Sequence, residues 1–462
     1  MSPRLRLVVP ALLAVAVVVA GVLLSGVGGP FGAGPDGSAV ASSSDGAGAP
    51  GGTGEPGAAE SPTPEPSPTP RPEVGGTELY GFVPYWQMSA TMATYLESVP
   101  LSTLALFSVS ARRNGSLDTR DVGYKRITGD LGRRLIAEAH ARRTRVDLVF
   151  TSFGTTRNGI FFGRLPASSG ASPSPGSSAL PTNGPLPTVE ASPSLAVPAP
   201  APWHRTVDDL VALAVSLGVD GINVDVEQLD EHDRDEYGAF LGALRTTLAA
   251  AVPGARLSVA TEAGLRGTGN ALEAVGAGVD RLFLMGYDYH WSGSQPGASS
   301  PIDRSDGLYT LRWSIEQYVE AGVPRDRIVL GLPLYGMSWR TTGPDRTAPV
   351  IEKGSTWIPN RHLDVLLEPS FQPGRDPLEV SEFFIRPDAE GWRVTYYDSP
   401  ATLRAKLALA RDQGLAGGGF WAIGYERGLP GYVELMQDFR AGNVDRAEAP
   451  PPEAPPEAAL TP

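Results

Sequence analysis

The sequence predicts an α/β protein in which eight parallel strands close into a (β/α)8 TIM barrel. Short apolar runs rich in β-branched and aromatic residues alternate with amphipathic stretches. Near-continuous apolar strands separated by helices are typical of a parallel sheet covered on its outer face, and eight such units favour a barrel. A doubly wound open sheet is the alternative, but no glycine-rich phosphate loop follows the first strand, where dinucleotide binders of that fold carry one.

The predicted elements follow one another along the chain in strand–helix order. We expect strands at residues 79–86, 104–109, 146–151, 221–227, 256–261, 281–288, 328–334 and 418–423. Helical patterns lie at residues 128–142, 206–217, 234–251, 309–321 and 400–413. Residues 340–398 separate the seventh and eighth strands and predict a small insertion, a subdomain at the upper rim of the barrel.

Much of the glycine and proline lies outside these elements. The chain contains 55 Gly and 44 Pro, and they are dense in residues 26–76, 166–202 and 448–462. Such segments bury too little apolar surface to offset their chain entropy. We therefore expect a disordered linker, a disordered loop insertion and a disordered tail around one barrel domain that spans residues 77–447.

The N-terminus predicts export. Residues 7–24 are apolar apart from one proline and one glycine, and they follow Arg4 and Arg6. At about 1.5 Å per residue this run is close in length to a bilayer core, and the arginines favour a cytoplasmic N-terminus. Residues 1–25 are therefore expected to be a secretory signal peptide or an uncleaved signal anchor that attaches the chain to the membrane. Either places the rest of the chain outside the cell or at its surface.

Composition excludes several classes of function. The chain has no cysteine, which excludes disulfide scaffolds, thiolate zinc sites and cysteine nucleophiles. A net charge of −13 argues against nucleic acid as a partner. The five histidines show no metal-binding spacing. We expect a monomer that uses no metal and no cofactor.

The fourth predicted strand carries the strongest chemical signal. It lies in the segment DGINVDVE at residues 220–227. Because side chains alternate along a strand, its apolar residues face the helices, whereas Asn223, Asp225 and Glu227 point into the barrel. Three polar groups on an interior face are costly to bury without partners. A buried salt-bridge cluster or a solvated edge strand is the alternative to a functional site.

The spacing of the two carboxylates suits acid catalysis. Asp225 and Glu227 are two residues apart, which separates their Cα atoms by about 6.6 Å. A neighbouring carboxylate raises the pKa of its partner, so we expect Glu227 to stay protonated near neutral pH and to act as a general acid, as in a glycosidase. Glu262 is the nearest candidate for a second carboxylate, but a surface position on a loop is expected for it.

The segment DGINVDVE resembles the DxxDxDxE motif of glycoside hydrolase family 18, which contains chitinases and related N-acetylglucosaminidases. Further segments agree in order along residues 78–440. They are similar to the first strand of the family, its MxYD segment on strand six, its GxPxYG segment on strand seven and its last strand: LYGFVPYW (79–86), MGYDYHW (285–291), GLPLYG (331–336) and GFWAIG (419–424).

The resemblance implies a substrate-assisted mechanism and a set of site residues. Glu227 would protonate the glycosidic oxygen and later act as the base for water, while the 2-acetamido oxygen of the substrate attacks the anomeric carbon. Asp225 would orient the acetamido group, and Tyr287 would donate a hydrogen bond to its oxygen. The resemblance implies these substrate-binding residues, among which Trp421 would form the floor of the sugar site: Asn223, Asp288, Met285, Tyr335, Trp421 and Tyr85. For His290 we expect a structural or surface role.

One position departs from the chitinase pattern. Asn223 stands where the motif has its second Asp, and an amide can hydrogen-bond Asp225 but cannot share a proton with it. DGxNxDxE resembles bacterial spore-cortex and cell-wall lytic members. We expect an exported glycosidase that cleaves β-1,4 bonds in an N-acetylglucosamine-containing polysaccharide, either peptidoglycan or a chitin-like glycan. The alternative is a non-catalytic carbohydrate-binding protein on the same barrel.

Overall fold

Eight parallel strands form a closed barrel in a computed structural model that describes residues 77–165 and 200–444. The predicted fold class is thus confirmed. In chain order the described strands are β1 (Glu78–Pro84), β2 (Thr103–Ser110), β3 (Arg145–Phe153), β4 (Gly221–Glu227), β5 (Arg256–Glu262), β6 (Arg281–Met285), β7 (Ile328–Pro333), β8 (Gly336–Thr341), β9 (Val350–Trp357), β10 (Gly374–Asp376), β11 (Ser381–Asp388), β12 (Gly391–Tyr397) and β13 (Gly417–Trp421). Strands β1 to β7 are neighbours in sequence order, and β13 closes the barrel between β7 and β1.

Helices follow most of the barrel strands. They are α1 (Ala90–Leu96), α2 (Val122–Thr128), α3 (Asp130–Ala141), α4 (Thr155–Phe161), α5 (Trp203–Leu217), α6 (Arg234–Ala251), α7 (Leu265–Gly276), α8 (Leu311–Glu320), α9 (Leu363–Leu366), α10 (Pro400–Asp412) and α11 (Tyr432–Arg440). The five predicted helices are confirmed as α3, α5, α6, α8 and α10. The other six described helices are additional to the prediction, and one of them, α7, contains three glycines, which lower helix propensity.

A glycine in α7 is required by close packing rather than by propensity. A Cβ atom on Gly267 would lie 1.6 Å from the main-chain oxygen of Glu262, at the end of β5. Tertiary packing therefore determines both that this segment forms a helix and that position 267 requires glycine. The absence of a side chain lets α7 lie directly against the strand end that carries Glu262.

The register of the central strands fixes which side chains enter the barrel. Asp225 is level with Thr151 on β3 and with Ala260 on β5. The apolar residues of β4 lie between the sheet and the helices, and they are fully or almost fully buried: Ile222, Val224 and Val226. The alternation predicted for this strand is confirmed.

An antiparallel sheet forms the insertion between the seventh and eighth barrel strands. Its strand order is β10-β11-β12-β8-β9, and it begins at β8, directly after β7. Glu379, in this insertion, accepts a hydrogen bond from the main-chain nitrogen of Ala298 (2.7 Å). Its other carboxylate oxygen lies 3.2 Å from the ring nitrogen Nε2 of His290. His290 is buried in this contact, which confirms the structural role expected of it.

Several predicted segments lie outside the described residues. They are the signal or anchor at 7–24, the linker at 26–76, the tail at 448–462 and all but the last three residues of the 166–202 insertion. Within residues 77–165 and 200–444, no helix has the length and apolar character needed to cross a bilayer.

Candidate active site

Strand β4 brings the predicted polar residues to the carboxyl end of the barrel. Asn223 and Asp225 are 0% and 4% exposed, and Glu227, the last residue of the strand, is half-buried. The main-chain oxygen of Glu227 accepts hydrogen bonds from Asn158 Nδ2 (2.7 Å) and from the main-chain nitrogen of Gly154 (3.2 Å). These bonds from the segment after β3 hold the strand end in place, and the sequence offered no signal for Asn158.

Burial and mutual repulsion keep a proton on the two carboxylates. Burial raises the pKa of Glu227 well above its usual value, and the nearby carboxylates of Asp225 and Glu262 raise it further. Burial also raises the pKa of Asp225, with a smaller contribution from Glu262. Neighbouring carboxylates whose pKa values are raised in this way favour a state in which a proton is retained near neutral pH. Glu227 is the more exposed of the two, so it can pass a proton to a bound molecule.

Glu262 is a third carboxylate of the site, and the expectation that it lies on a surface loop is wrong. It is the last residue of β5 and is only 3% exposed. Its Oε1 accepts a hydrogen bond from the main-chain nitrogen of Gln228 (2.9 Å). Strand β5 runs one residue further than predicted, which keeps Glu262 in the inward alternation of Ser258 and Ala260. Extending that alternation by one position would have found it.

Asn223 is bonded to the interior below the site rather than to Asp225. Its Nδ2 donates to Ser258 Oγ (2.9 Å), and this hydroxyl donates to Asp147 Oδ2 (3.0 Å), which also accepts from Tyr80 OH (2.7 Å). Among the described residues, Asn223 Oδ1 and Asp225 Oδ1 are buried without a hydrogen-bond partner. The predicted contact between the two residues is therefore absent. Burial raises the pKa of Asp147 to about 6.

The end of β6 supplies a phenol and another carboxyl group. The strand ends at Met285, three residues before the predicted end, because the chain leaves the sheet and Asp288 takes a left-handed conformation with φ 60°. Asp288 Oδ1 accepts a hydrogen bond from Tyr335 OH (2.5 Å). Tyr287, whose ring lies 6.1 Å from that of Tyr335, is half-buried. Burial raises the pKa of Tyr287 well above its usual value, so its hydroxyl remains a donor.

Aromatic side chains line the first and last strands of the barrel. Trp421 ends β13 and is 8% exposed, with its ring centroid 4.7 Å from Phe107 and 6.3 Å from Trp86. Tyr85 is half-buried and packs edge-on against Trp86 at 4.9 Å. Trp421 is therefore mostly buried in an aromatic cluster at the carboxyl end of β13.

The described parts of the chain contain no group of three or more acidic or histidine side chains arranged to hold a metal ion. What the arrangement offers is a protonated carboxyl group at an open strand end, a buried acidic partner and a phenol donor. These are the groups of a general-acid site.

Comparison with known proteins places this arrangement in a family. The model of the glycosyl hydrolases family 18 matches residues 195–426, which is half of the chain. The cortical fragment-lytic enzyme of Bacillus subtilis (strain 168) is 28% identical over 230 residues, which cover 48% of this chain and 50% of that protein. Endochitinase 1 of Metarhizium robertsii is 27% identical over 54% of this chain and 63% of that protein. The match thus spans about half to two thirds of these relatives.

Solved structures share the fold. The spore cortex-lytic enzyme SleL of Bacillus cereus matches with a TM-score of 0.57 and 20% identity, over 81% of this chain and 75% of that one. A class V chitinase from Nicotiana tobaccum matches with a TM-score of 0.61 and 18% identity, over 79% of this chain and 99% of that one. With the family model matching the segment that carries the strand-four carboxylates, the chain belongs to the glycosyl hydrolases family 18.

Proposed function

We propose that this protein hydrolyses β-1,4 bonds next to N-acetylglucosamine in peptidoglycan or a chitin-like glycan. The observation that carries the proposal is the pair of Asp225 and Glu227 at the carboxyl end of the barrel, where burial and repulsion raise both pKa values. Relatives named cortical fragment-lytic enzyme and endochitinase support both substrate classes.

The proposed reaction is substrate-assisted and retains the configuration at the anomeric carbon. Glu227 gives its proton to the glycosidic oxygen while the 2-acetamido oxygen of the substrate attacks the anomeric carbon and the glycosidic bond breaks. Water then attacks the oxazolinium intermediate and passes a proton to Glu227. Asp225 orients the acetamido group, and Tyr287 donates to its oxygen.

The test is product analysis on two substrates. Wild-type protein and Glu227→Gln are incubated with peptidoglycan and, separately, with chitin oligomers, and the products are identified by mass spectrometry. We expect wild type to release saccharides that end in N-acetylglucosamine, and Glu227→Gln to release none. Loss of one proton donor of this kind typically costs about 10²- to 10⁴-fold in rate.

Two results would contradict the proposed function. One is the absence of products from wild type on both substrates, and the other is full activity of Glu227→Gln. Sugar binding by the variant, measured by tryptophan fluorescence, serves as the control that its site is folded.

We also infer that the protein is exported, either as a secreted protein or anchored at the cell surface by residues 7–24. The apolar run after two arginines supports this inference. Cell fractionation with and without residues 7–24 tests it. The full chain should appear in the membrane, wall or medium and the shortened chain in the cytoplasm, whereas a cytoplasmic full chain would overturn the inference.

A further inference from the structure

A groove lined by arginines lies beside the catalytic strand end. Its volume is about 820 Å³. It is formed by residues that follow β2, including Arg112, Arg113 and Asp118, by Phe153 at the end of β3, and by residues that follow β3, including Arg157. Both segments leave the carboxyl ends of barrel strands. The groove therefore opens on the same side of the barrel as Glu227.

The end of β3 connects the groove to the candidate active site. Phe153, which lines the groove, is level with Glu227 in the register of β3 and β4. The next residue, Gly154, donates its main-chain N–H to the oxygen of Glu227. A polymer whose bond is cleaved at Glu227 extends past that residue on both sides, so its neighbouring units come within reach of the groove.

The charge of the groove is opposite to that of the whole chain. Three arginines and one aspartate line it, although the protein carries a net charge of −13. Arg112 pairs with Asp118 at 3.0 Å. Arg157 donates from NH2 to the main-chain oxygen of Ala111 (2.6 Å), and Asp121 and Asp118 lie nearby, but no ion pair holds its guanidinium among the described residues.

Arg113 is the least engaged cation of the groove. It is exposed, and its side chain makes no ion pair or hydrogen bond within residues 77–165 and 200–444. A neutral glycan offers such cations hydroxyl and amide oxygens but no opposite charge. Planar guanidinium groups match carboxylates in geometry and charge, so the surplus of arginines indicates an anionic ligand.

We propose that this groove binds carboxylates carried by the glycan substrate close to the bond that is cleaved, which makes peptidoglycan the preferred substrate over neutral chitin. The inference rests on the proposed function and deepens it. The carboxylates have two sources in wall glycan: the stem peptides, or the lactyl groups that become free when those peptides are removed.

The experiment measures binding apart from hydrolysis. In a Glu227→Gln background, Kd is determined for glycan strands that retain stem peptides, for strands whose peptides an amidase has removed, and for chitin oligomers. Each binding measurement is repeated with a variant that carries Arg113→Gln and Arg157→Gln together in the same Glu227→Gln background. The matched control is Arg143→Gln, which removes one exposed arginine at the opposite end of the barrel, before β3.

We expect the double substitution to weaken binding of at least one anionic strand about tenfold or more, because hydrogen bonds to charged groups contribute this much. Binding of chitin oligomers and all binding by Arg143→Gln should be unchanged, and Arg113→Lys should retain part of the affinity. A higher salt concentration should reduce the difference in affinity between anionic glycan strands and neutral chitin oligomers. The anionic glycan, with or without stem peptides, that loses more affinity on the double substitution identifies the source of the carboxylate.

Two outcomes would overturn the proposal that the groove binds carboxylates. One is unchanged affinity for both anionic strands, and the other is an equal loss on chitin oligomers, which would show a structural role. Because the readout is binding, an enzyme that hydrolyses none of these glycans would refute the proposed function without deciding the role of the groove.

Discussion

Glu227 sits where burial and negative charge act together. It ends β4, its main-chain oxygen is held by Asn158 and Gly154, and its carboxyl group faces two further acidic side chains, Asp225 and Glu262. Burial and the two neighbouring carboxylates favour the protonated form of Glu227, while the bonds to its main-chain oxygen hold the strand end in place. A general acid that works near neutral pH requires this kind of surrounding.

Glu262→Gln tests this account of the acid. The substitution removes a negative charge while its amide oxygen can still accept from Gln228 N. We expect the pKa of Glu227 to fall, so this proposed general acid loses its proton at a lower pH and the basic limb of the kcat/KM profile moves to lower pH. The control is Glu316→Gln, an exposed position on α8. An unchanged basic limb would show that Glu262 does not act on the acid.

Residues far apart in sequence were the hardest to predict. The alternation in β4 was sufficient to place Asn223, Asp225 and Glu227 inside the barrel. Glu262 was misplaced because the end of a strand depends on what packs against it, which local pattern does not report. The hydrogen bond of Asn223 to Ser258 spans 35 positions and could not be read from the motif.

At the scale of elements, α7 and β5 are matched to each other. The helix begins at Leu265, directly after the strand that carries Glu262, and Gly267 faces the main chain of that residue. The three glycines of the helix are not equivalent, because a Cβ on Gly276 would meet nothing within 4 Å. Helix propensity predicts that replacing any of these glycines by alanine stabilises the helix, whereas packing predicts opposite effects at Gly267 and Gly276.

Gly267→Ala and Gly276→Ala therefore form a matched pair. A Cβ at Gly267 would lie 1.6 Å from the oxygen of Glu262, so the helix or the strand end must move. We expect Gly267→Ala to lower the free energy of unfolding by about 1 to 3 kcal/mol and to reduce kcat. Gly276→Ala should be neutral or stabilise by up to about 1 kcal/mol. Urea unfolding of both variants is the measurement, and equal stabilities would contradict the packing account.

At the scale of the described molecule, a buried ion pair joins the inserted sheet to the barrel. Lys406 on α10 is fully buried and pairs with Asp398, which follows β12. Ser300, from the segment after β6, donates to Asp398 Oδ2 (2.6 Å) and accepts from Lys406 Nζ (2.9 Å). The segment after β6 therefore meets the end of the insertion and helix α10, about 100 positions away, at one charged cluster.

Lys406→Met tests how much this cluster stabilises the fold. Removing the cation leaves Asp398 buried without its counter-charge, and we expect a loss of about 3 to 5 kcal/mol in the free energy of unfolding. The double variant Lys406→Met, Asp398→Asn should recover much of that loss, because the charge is gone while Ser300 can still donate. Urea unfolding compares the three proteins. A double variant less stable than Lys406→Met would contradict the explanation.

Apolar runs and alternation are properties of neighbouring residues, so the sequence was sufficient to predict the barrel, the insertion before its last strand and the inward face of β4. The position of Glu262 in the site, the bond of Asn223 to Ser258 and the three arginines along one groove became visible only in the folded chain. Those facts depend on strands and loops that are adjacent in space and distant in the chain, such as Gln228 and Glu262, 34 positions apart. Parallel pairing of neighbouring barrel strands brings them together.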